Sequence, residues 1–287
     1  MDATLASITD AIREKLNDSG IFNILLARKK TYESIEKKVR NKGENYYGES
    51  KKIQDLYGIR VVLYFTEDID TAVEIVSSLF AEIIEERSID KLGPNVFGAT
   101  RHNRIYRLST GAKSIKYRDF DKLIDDTFEV QFRTIFTEGI LEIEHDFRYK
   151  YKDTWPAGEG SLERVLYSII ASLESKEWAI DHLLSELAFN AYKCGDWESL
   201  LRNKLKIRIS DRLDEMLKMT ISSNSKLPKE IFKTSRKELL SVLGDHFSRI
   251  PLSYDNVVYV LNCKKFRIKE ILDMTPKAIL WEIGPQA

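Results

Sequence analysis

Asp55-Leu56-Tyr57-Gly58-Ile59-Arg60-Val61-Val62-Leu63-Tyr64-Phe65 is the stretch on which the fold turns. From residue 59 to 65 it is β-branched and aromatic, bounded by Gly58 and by Glu67-Asp68, the pattern of a central strand. Helical periodicity follows over residues 69–84. A loop rich in turn residues comes next at 90–99, containing Gly93-Pro94-Asn95. Two more strands are predicted at 104–108 and 128–133, and a helix over 135–152, closed by Trp155-Pro156, Gly158 and Gly160. Strands and helices in this succession predict an α/β fold.

Upstream, residues 1–17 mix Asp2, Asp10, Arg13, Glu14 and Lys15 with apolar side chains, as expected of an amphipathic helix rather than a signal peptide. Residues 28–52 hold nine Lys+Arg against four Glu and predict a helix exposed along one side. Downstream, Leu162, Val165, Leu166, Ile169, Ile170 and Leu173 fall at the 3–4 spacing of a helix with one buried stripe, continuing to about residue 192. The remainder reads as a small, mainly helical accessory domain. The expected division is therefore 1–192 and 193–287. Residues 196–287 carry 17 Lys+Arg against 12 Asp+Glu, although the whole chain is formally neutral. No internal repeat and no apolar run of membrane-spanning length is evident. Cys194 and Cys263 lie outside any metal-ligand spacing and read as reduced thiols of a cytoplasmic protein.

Three constellations carry chemistry. Asp55 precedes the first strand, where a carboxylate at the sheet rim can hold a hard cation against phosphate oxygens. Gly58 admits close approach of the backbone, and Arg60 can grip phosphate with two N–H groups. In Glu129-Val130-Gln131-Phe132-Arg133, period-two alternation sends Glu129, Gln131 and Arg133 to one face and Val130 and Phe132 to the other. Convergence of Asp55 and Glu129 would form a two-carboxylate metal site, with Glu129 also able to accept a proton. The basic residues Arg28, Lys29, Lys30, Lys37, Lys38 and Arg40 suit a polyphosphate. Each pattern by itself also fits a solvated turn, an exposed strand or a charged helix face.

Together, the motifs resemble the RelA/SpoT synthetase family over roughly residues 23–152. Arg28-Lys29-Lys30-Thr31-Tyr32-Glu33-Ser34-Ile35 is similar to its R-x-K-S-P-x-S-I segment, with Tyr32 in place of the proline. Residues 55–61 resemble its D-x-x-G-x-R-V strand, residues 129–134 its E-[IV]-Q-[IF]-R-T strand, and residues 144–150 its E-H-x-x-x-Y-K helix. The resemblance implies a mixed β-sheet flanked by helices, nucleotidyltransferase-like, with a C-terminal helical extension. It also implies an ATP-dependent pyrophosphokinase that delivers the β,γ-pyrophosphate of ATP to a nucleotide 3′ hydroxyl, giving (p)ppGpp from GDP or GTP. In this reading Arg28, Lys30, Ser34 and Arg60 bind ATP, and Asp55 and Glu129 hold Mg²⁺. Asp55, Glu129, Arg60, Gln131 and Arg133 serve catalysis. Arg87, Phe97, Gly98, His102 and His145 contact the acceptor, although His145 fits a structural histidine equally well.

The acceptor loop departs from the family pattern. Where the family has G-Y-x-S-x-H, this chain reads Gly98-Ala99-Thr100-Arg101-His102, so the stacking tyrosine is replaced by Ala99. Loss of an aromatic platform costs roughly 1–3 kcal/mol of base stacking. Toxin-type action on adenine nucleotides or the tRNA 3′ end, and a catalytically degenerate nucleotide-binding regulator, are therefore carried as alternatives. An antitoxin or a second copy of the chain are the further partners considered.

Overall fold

A computed structural model describes residues 2–42, 51–89, 102–109, 117–143, 160–243, 246 and 249–283. Backbone contacts divide the chain into two units, one of residues 1–14 and 23–175, the other of 15–22 and 176–287.

The first unit is built on β1 (Asn23–Lys29), β2 (Tyr57–Leu63), β3 (Ser88–Ile89), β4 (His102–Arg107) and β5 (Thr127–Thr134), in the order β1-β2-β5-β4-β3. Only β2 and β5 run parallel; the other pairs are antiparallel, so the sheet is mixed. The alternation read from the sequence sets its two faces. Tyr57, Ile59, Val61 and Leu63 of β2 and Phe128, Val130 and Phe132 of β5 are buried, whereas Gly58, Arg60, Glu129 and Gln131 are half-buried on the opposite face.

Helices α2 (Tyr32–Lys42), α3 (Asp68–Leu79) and α4 (Ile135–Ile143) accompany the sheet, and α1 (Ala3–Asp18) opens the chain. Ala72, Val73 and Val76, at 3–4 spacing, form the buried side of α3, which packs on β5. Tyr57 donates to Asp2 at 3.2 Å, and Lys29 pairs with the same carboxylate at 2.9 Å.

Two boundaries and one packing pattern differ from the sequence reading. Arg28 and Lys29 belong to β1 rather than to the basic helix, because residues 23–29 pair with β2 along their whole length. The helix predicted over 69–84 ends at Leu79. Phe80 turns extended, its ring meets Phe128 edge-on at 5.0 Å, and the Ile83 N–H then bonds the Ile105 carbonyl, drawing the chain to the sheet. The single buried stripe expected of α5 (Gly160–Cys194) is not observed: Ile170 is buried, but Val165 and Ile169 are 54% and 45% exposed.

The second unit is helical. It comprises α6 (Trp197–Leu205), α7 (Glu215–Ser223), α8 (Leu227–Lys233), α9 (Arg236–Leu243), α10 (Tyr254–Leu261), α11 (Lys269–Met274) and α12 (Lys277–Ile283), with the later part of α5. Its core includes Leu200, Leu201, Leu217, Ile221, Leu239, Val257, Leu261 and Ile271. The buried Arg236 guanidinium donates to the carbonyls of Leu205 and Lys206, satisfying acceptors that the end of α6 leaves free. Cys194 and Cys263 are free thiols. Among the described residues no helix is long and apolar enough to cross a membrane.

Candidate active site

On the polar face of the sheet lies a cavity of about 330 Å³, lined by Leu26, Ala27, Arg28, Lys30, Asp55, Gly58, Arg60, Glu129 and Gln131. Its floor follows from strand register. Arg28, Gly58 and Glu129 stand in one row across β1, β2 and β5; Leu26, Arg60, Gln131 and Asn103 stand in the next. The three sequence constellations thus meet in one place.

Asp55, just before β2, is clasped by two ammonium groups. Lys30 Nζ donates to Oδ2 at 2.6 Å, and Lys38 Nζ reaches Oδ1 at 2.8 Å and Oδ2 at 2.9 Å. Burial pushes the Asp55 carboxyl up, but the charges and hydrogen bonds of Lys30 and Lys38 outweigh it and hold the group below the ordinary aspartate value. Lys30 is itself anchored by its backbone: its N–H bonds Leu56 O at 2.9 Å, and the Tyr117 hydroxyl donates to its carbonyl at 2.8 Å.

Glu129 accepts from two amides, Asn103 Nδ2 at 3.0 Å on Oε1 and Gln131 Nε2 at 2.7 Å on Oε2. The Gln131 oxygen in turn accepts from Arg60 Nε at 3.3 Å and Arg133 Nη2 at 2.8 Å. Both arginines end on the buried carboxylate of Glu138, at 2.9 Å from Arg60 and 2.6 Å from Arg133, and Arg60 also pairs with Glu142.

The structure thus gathers Arg28, Lys30, Asp55, Arg60, Glu129 and Gln131 around one cavity. Arg133 lies beside it, buried and held by Glu138. Ser34 is not in the lining: it sits in the first turn of α2, its N–H bonded to the Thr31 hydroxyl at 3.3 Å. Arg87 is engaged by Glu82 through Nε at 2.6 Å and Nη2 at 2.8 Å, away from the cavity lining. His102 stands opposite Phe132 by register, on the face away from Glu129 and Gln131, where burial pulls its imidazole below the ordinary value. Phe97, Gly98 and His145 lie outside the described residues.

Sequence reasoning passed over Asn103, Glu138, Glu142 and Leu26. Glu138 had one available signal: a carboxylate five residues after Arg133, at the start of a helix leaving a strand that carries charge on one face. Asn103 had none, since only cross-strand register brings it to Glu129.

The comparisons bear on the same segment. Residues 27–154, somewhat less than half of the chain, match the sequence model of the region found in RelA/SpoT proteins. No curated protein matches the chain. Among solved structures it is similar to small alarmone synthetase 2 from Bacillus subtilis, at 20% identity and a TM-score of 0.44 over 63% of this chain and 91% of that one. It is similar to a GTP pyrophosphokinase family protein from Streptococcus pneumoniae at 17% identity and a TM-score of 0.42, over 63% and 89%. The motifs gathered at the cavity all fall inside residues 27–154, the segment that matches the region found in RelA/SpoT proteins.

Proposed function

We propose that this chain is a pyrophosphokinase, transferring the β,γ-pyrophosphate of ATP to the 3′ hydroxyl of a nucleotide, with GDP or GTP as acceptor. One observation carries the reading: a single cavity brings a pair of carboxylates, Asp55 and Glu129, together with the cations Arg28, Lys30 and Arg60. Cations in a cleft suit a polyphosphate, whose transfer is catalysed mainly by positioning and charge neutralisation.

In the reaction, acceptor O3′ forms a bond to the β-phosphorus of ATP. The bond from that phosphorus to the oxygen bridging to the α-phosphate breaks, AMP leaves, and the hydroxyl proton passes to the Glu129 carboxylate. Arg28, whose guanidinium has no hydrogen bond or ion pair among the described residues, is free to take a donor phosphate. Lys30 and Lys38 turn from Asp55 to the donor phosphates as these arrive. Mg²⁺ fits this donor set, because hard carboxylate oxygens plus substrate phosphates are its customary ligands. Asp55 and Glu129 would hold it, and when bound it neutralises charge on the donor phosphates.

The test is incubation with γ-³²P-ATP and Mg²⁺ against GDP, GTP, AMP, ADP and bulk tRNA, resolved by thin-layer chromatography. Labelled guanosine product is expected. Label on an adenine nucleotide or on tRNA would keep the chemistry and change the acceptor, as the alternatives at Ala99 require. No labelled product from folded protein would overturn the reading in favour of nucleotide binding without transfer. That second reading draws on one observation, Ala99 in place of the stacking tyrosine.

A further inference from the structure

We propose that Glu138 is a positioning residue of the transfer centre, acting through Arg60, Arg133 and Gln131 on Glu129. The inference rests on the pyrophosphokinase reading and adds to it a residue outside the cavity lining.

Its basis is a polar chain in which each link fixes the next. Glu138 is 8% exposed, and its two oxygens divide between the arginines: Oε1 accepts from Arg60 Nη1 at 2.9 Å, and Oε2 accepts from Arg133 Nη1 at 2.6 Å. A carboxylate shared in this way holds two guanidinium groups side by side that would otherwise repel. Each then turns a further N–H to one acceptor, Gln131 Oε1, at 3.3 Å from Arg60 and 2.8 Å from Arg133. A side-chain amide has one oxygen and one NH₂, so two donors on the oxygen leave the NH₂ a single direction to face. It faces Glu129, whose Oε2 lies 2.7 Å away. With Asn103 on Oε1 at 3.0 Å, both oxygens of Glu129 are oriented by amide donors.

The register permits this and little else. Arg60, Gln131 and Asn103 stand in one row across β2, β5 and β4, and Arg133 follows Gln131 on the same face. Helix α4 begins directly after β5 and returns Glu138 to that face within its first turn. Without Glu138, the arginines lose their common anchor and the Gln131 amide is free to invert, which would aim its oxygen at a carboxylate. Glu129 would then be held by Asn103 alone.

Glu138→Gln removes the shared charge at nearly constant volume. Loss of an outer supporting partner of this kind typically lowers activity by about 10- to 100-fold. The drop is expected mainly in kcat, with the KM for ATP rising by less than kcat falls, since Arg28 and Lys30 are untouched and Arg60 keeps Glu142 as a partner. Glu138→Asp, which restores the charge, should recover most of kcat. Combined with Gln131→Ala, Glu138→Gln should add nothing, leaving the double variant within about twofold of Gln131→Ala.

Multiplying effects, or a rise in KM with kcat unchanged, would overturn the proposal. If Glu138→Gln does not fold, Arg133→Met gives the same test from the other side, because methionine can donate to neither Glu138 nor Gln131. A readout independent of activity is the Gln131 side-chain NH₂ signal in ¹⁵N-¹H spectra, identified by its absence in Gln131→Ala. The signal should shift in Glu138→Gln; an unmoved signal overturns the proposal. Wild-type protein that transfers to no acceptor would sink the pyrophosphokinase reading, while the amide signal would still decide whether Glu138 sets Gln131.

Discussion

Gly58 stands directly opposite Glu129 in the parallel pairing of β2 and β5, with Arg28 on its other side, so the central position of that row carries no side chain. A Cβ built there would meet Arg28 Cγ at 3.9 Å, an ordinary contact. Gly58→Ala is therefore expected to leave the fold intact while placing a methyl group in the cavity. Affinity for a non-hydrolysable ATP analogue should fall about tenfold, or about 1.4 kcal/mol. Titration calorimetry beside a thermal melt separates the two effects.

Asp55→Asn removes the counter-charge of Lys30 and Lys38. Transfer should drop by more than about 100-fold. Binding of the ATP analogue should persist but no longer respond to Mg²⁺. Titration with and without the metal checks this, and an unchanged transfer rate would remove Asp55 from the metal site.

The second unit offers a pH test at the N-terminus of α6. Asp196 caps that helix by accepting from the Ser199 N–H at 3.1 Å, and hydrogen bonding to Ser199 holds its carboxyl below the ordinary aspartate value. Asp196→Ala should cost about 1 kcal/mol at pH 7. A depressed folded pKa means the contribution is complete above about pH 4 and is lost as the pH falls through the folded value. Urea unfolding of wild type and variant should therefore converge in acid.

Gly20 adopts φ +70°, and a Cβ there would lie 2.4 Å from Leu252 Cδ2. Gly20→Ala combines left-handed backbone with a clash and should cost about 1–3 kcal/mol. A melting temperature equal to that of wild type would show that residues 15–22 are not packed in the second unit as described.

Much of this was legible before any coordinates. The alternation of Glu129, Gln131 and Arg133 against Phe128, Val130 and Phe132 assigned both faces of β5, because a half-buried strand imposes a period of two. The β-branched run after Gly58 located β2. The strand β1 was hidden by the basic residues that end it: Arg28 and Lys29 joined the charged run of α2, while Asn23–Ala27 gave only a short apolar stretch. Asn103 was invisible, and Glu138 marked only by its distance from Arg133, for a different reason. Their roles depend on register and on the direction in which α4 leaves β5, and neither is encoded in local spacing. Ser34 shows the converse, since its place in the first turn of α2 already gives it a local structural part.

The lysine clasp on Asp55 makes that carboxylate an internal stand-in for phosphate. Without nucleotide the centre carries its own counter-ion, and the Asp55 carboxylate offsets half of the charge of the two ammonium groups, leaving one positive charge uncompensated. In the proposed reaction an arriving nucleotide would exchange with that carboxylate, and a triphosphate brings more charge to the exchange than a monophosphate does. With the Lys30 backbone pinned by Leu56 and Tyr117, the exchange needs only side-chain rotation. In the proposed reaction, selection for polyphosphate would thus precede any reading of the base.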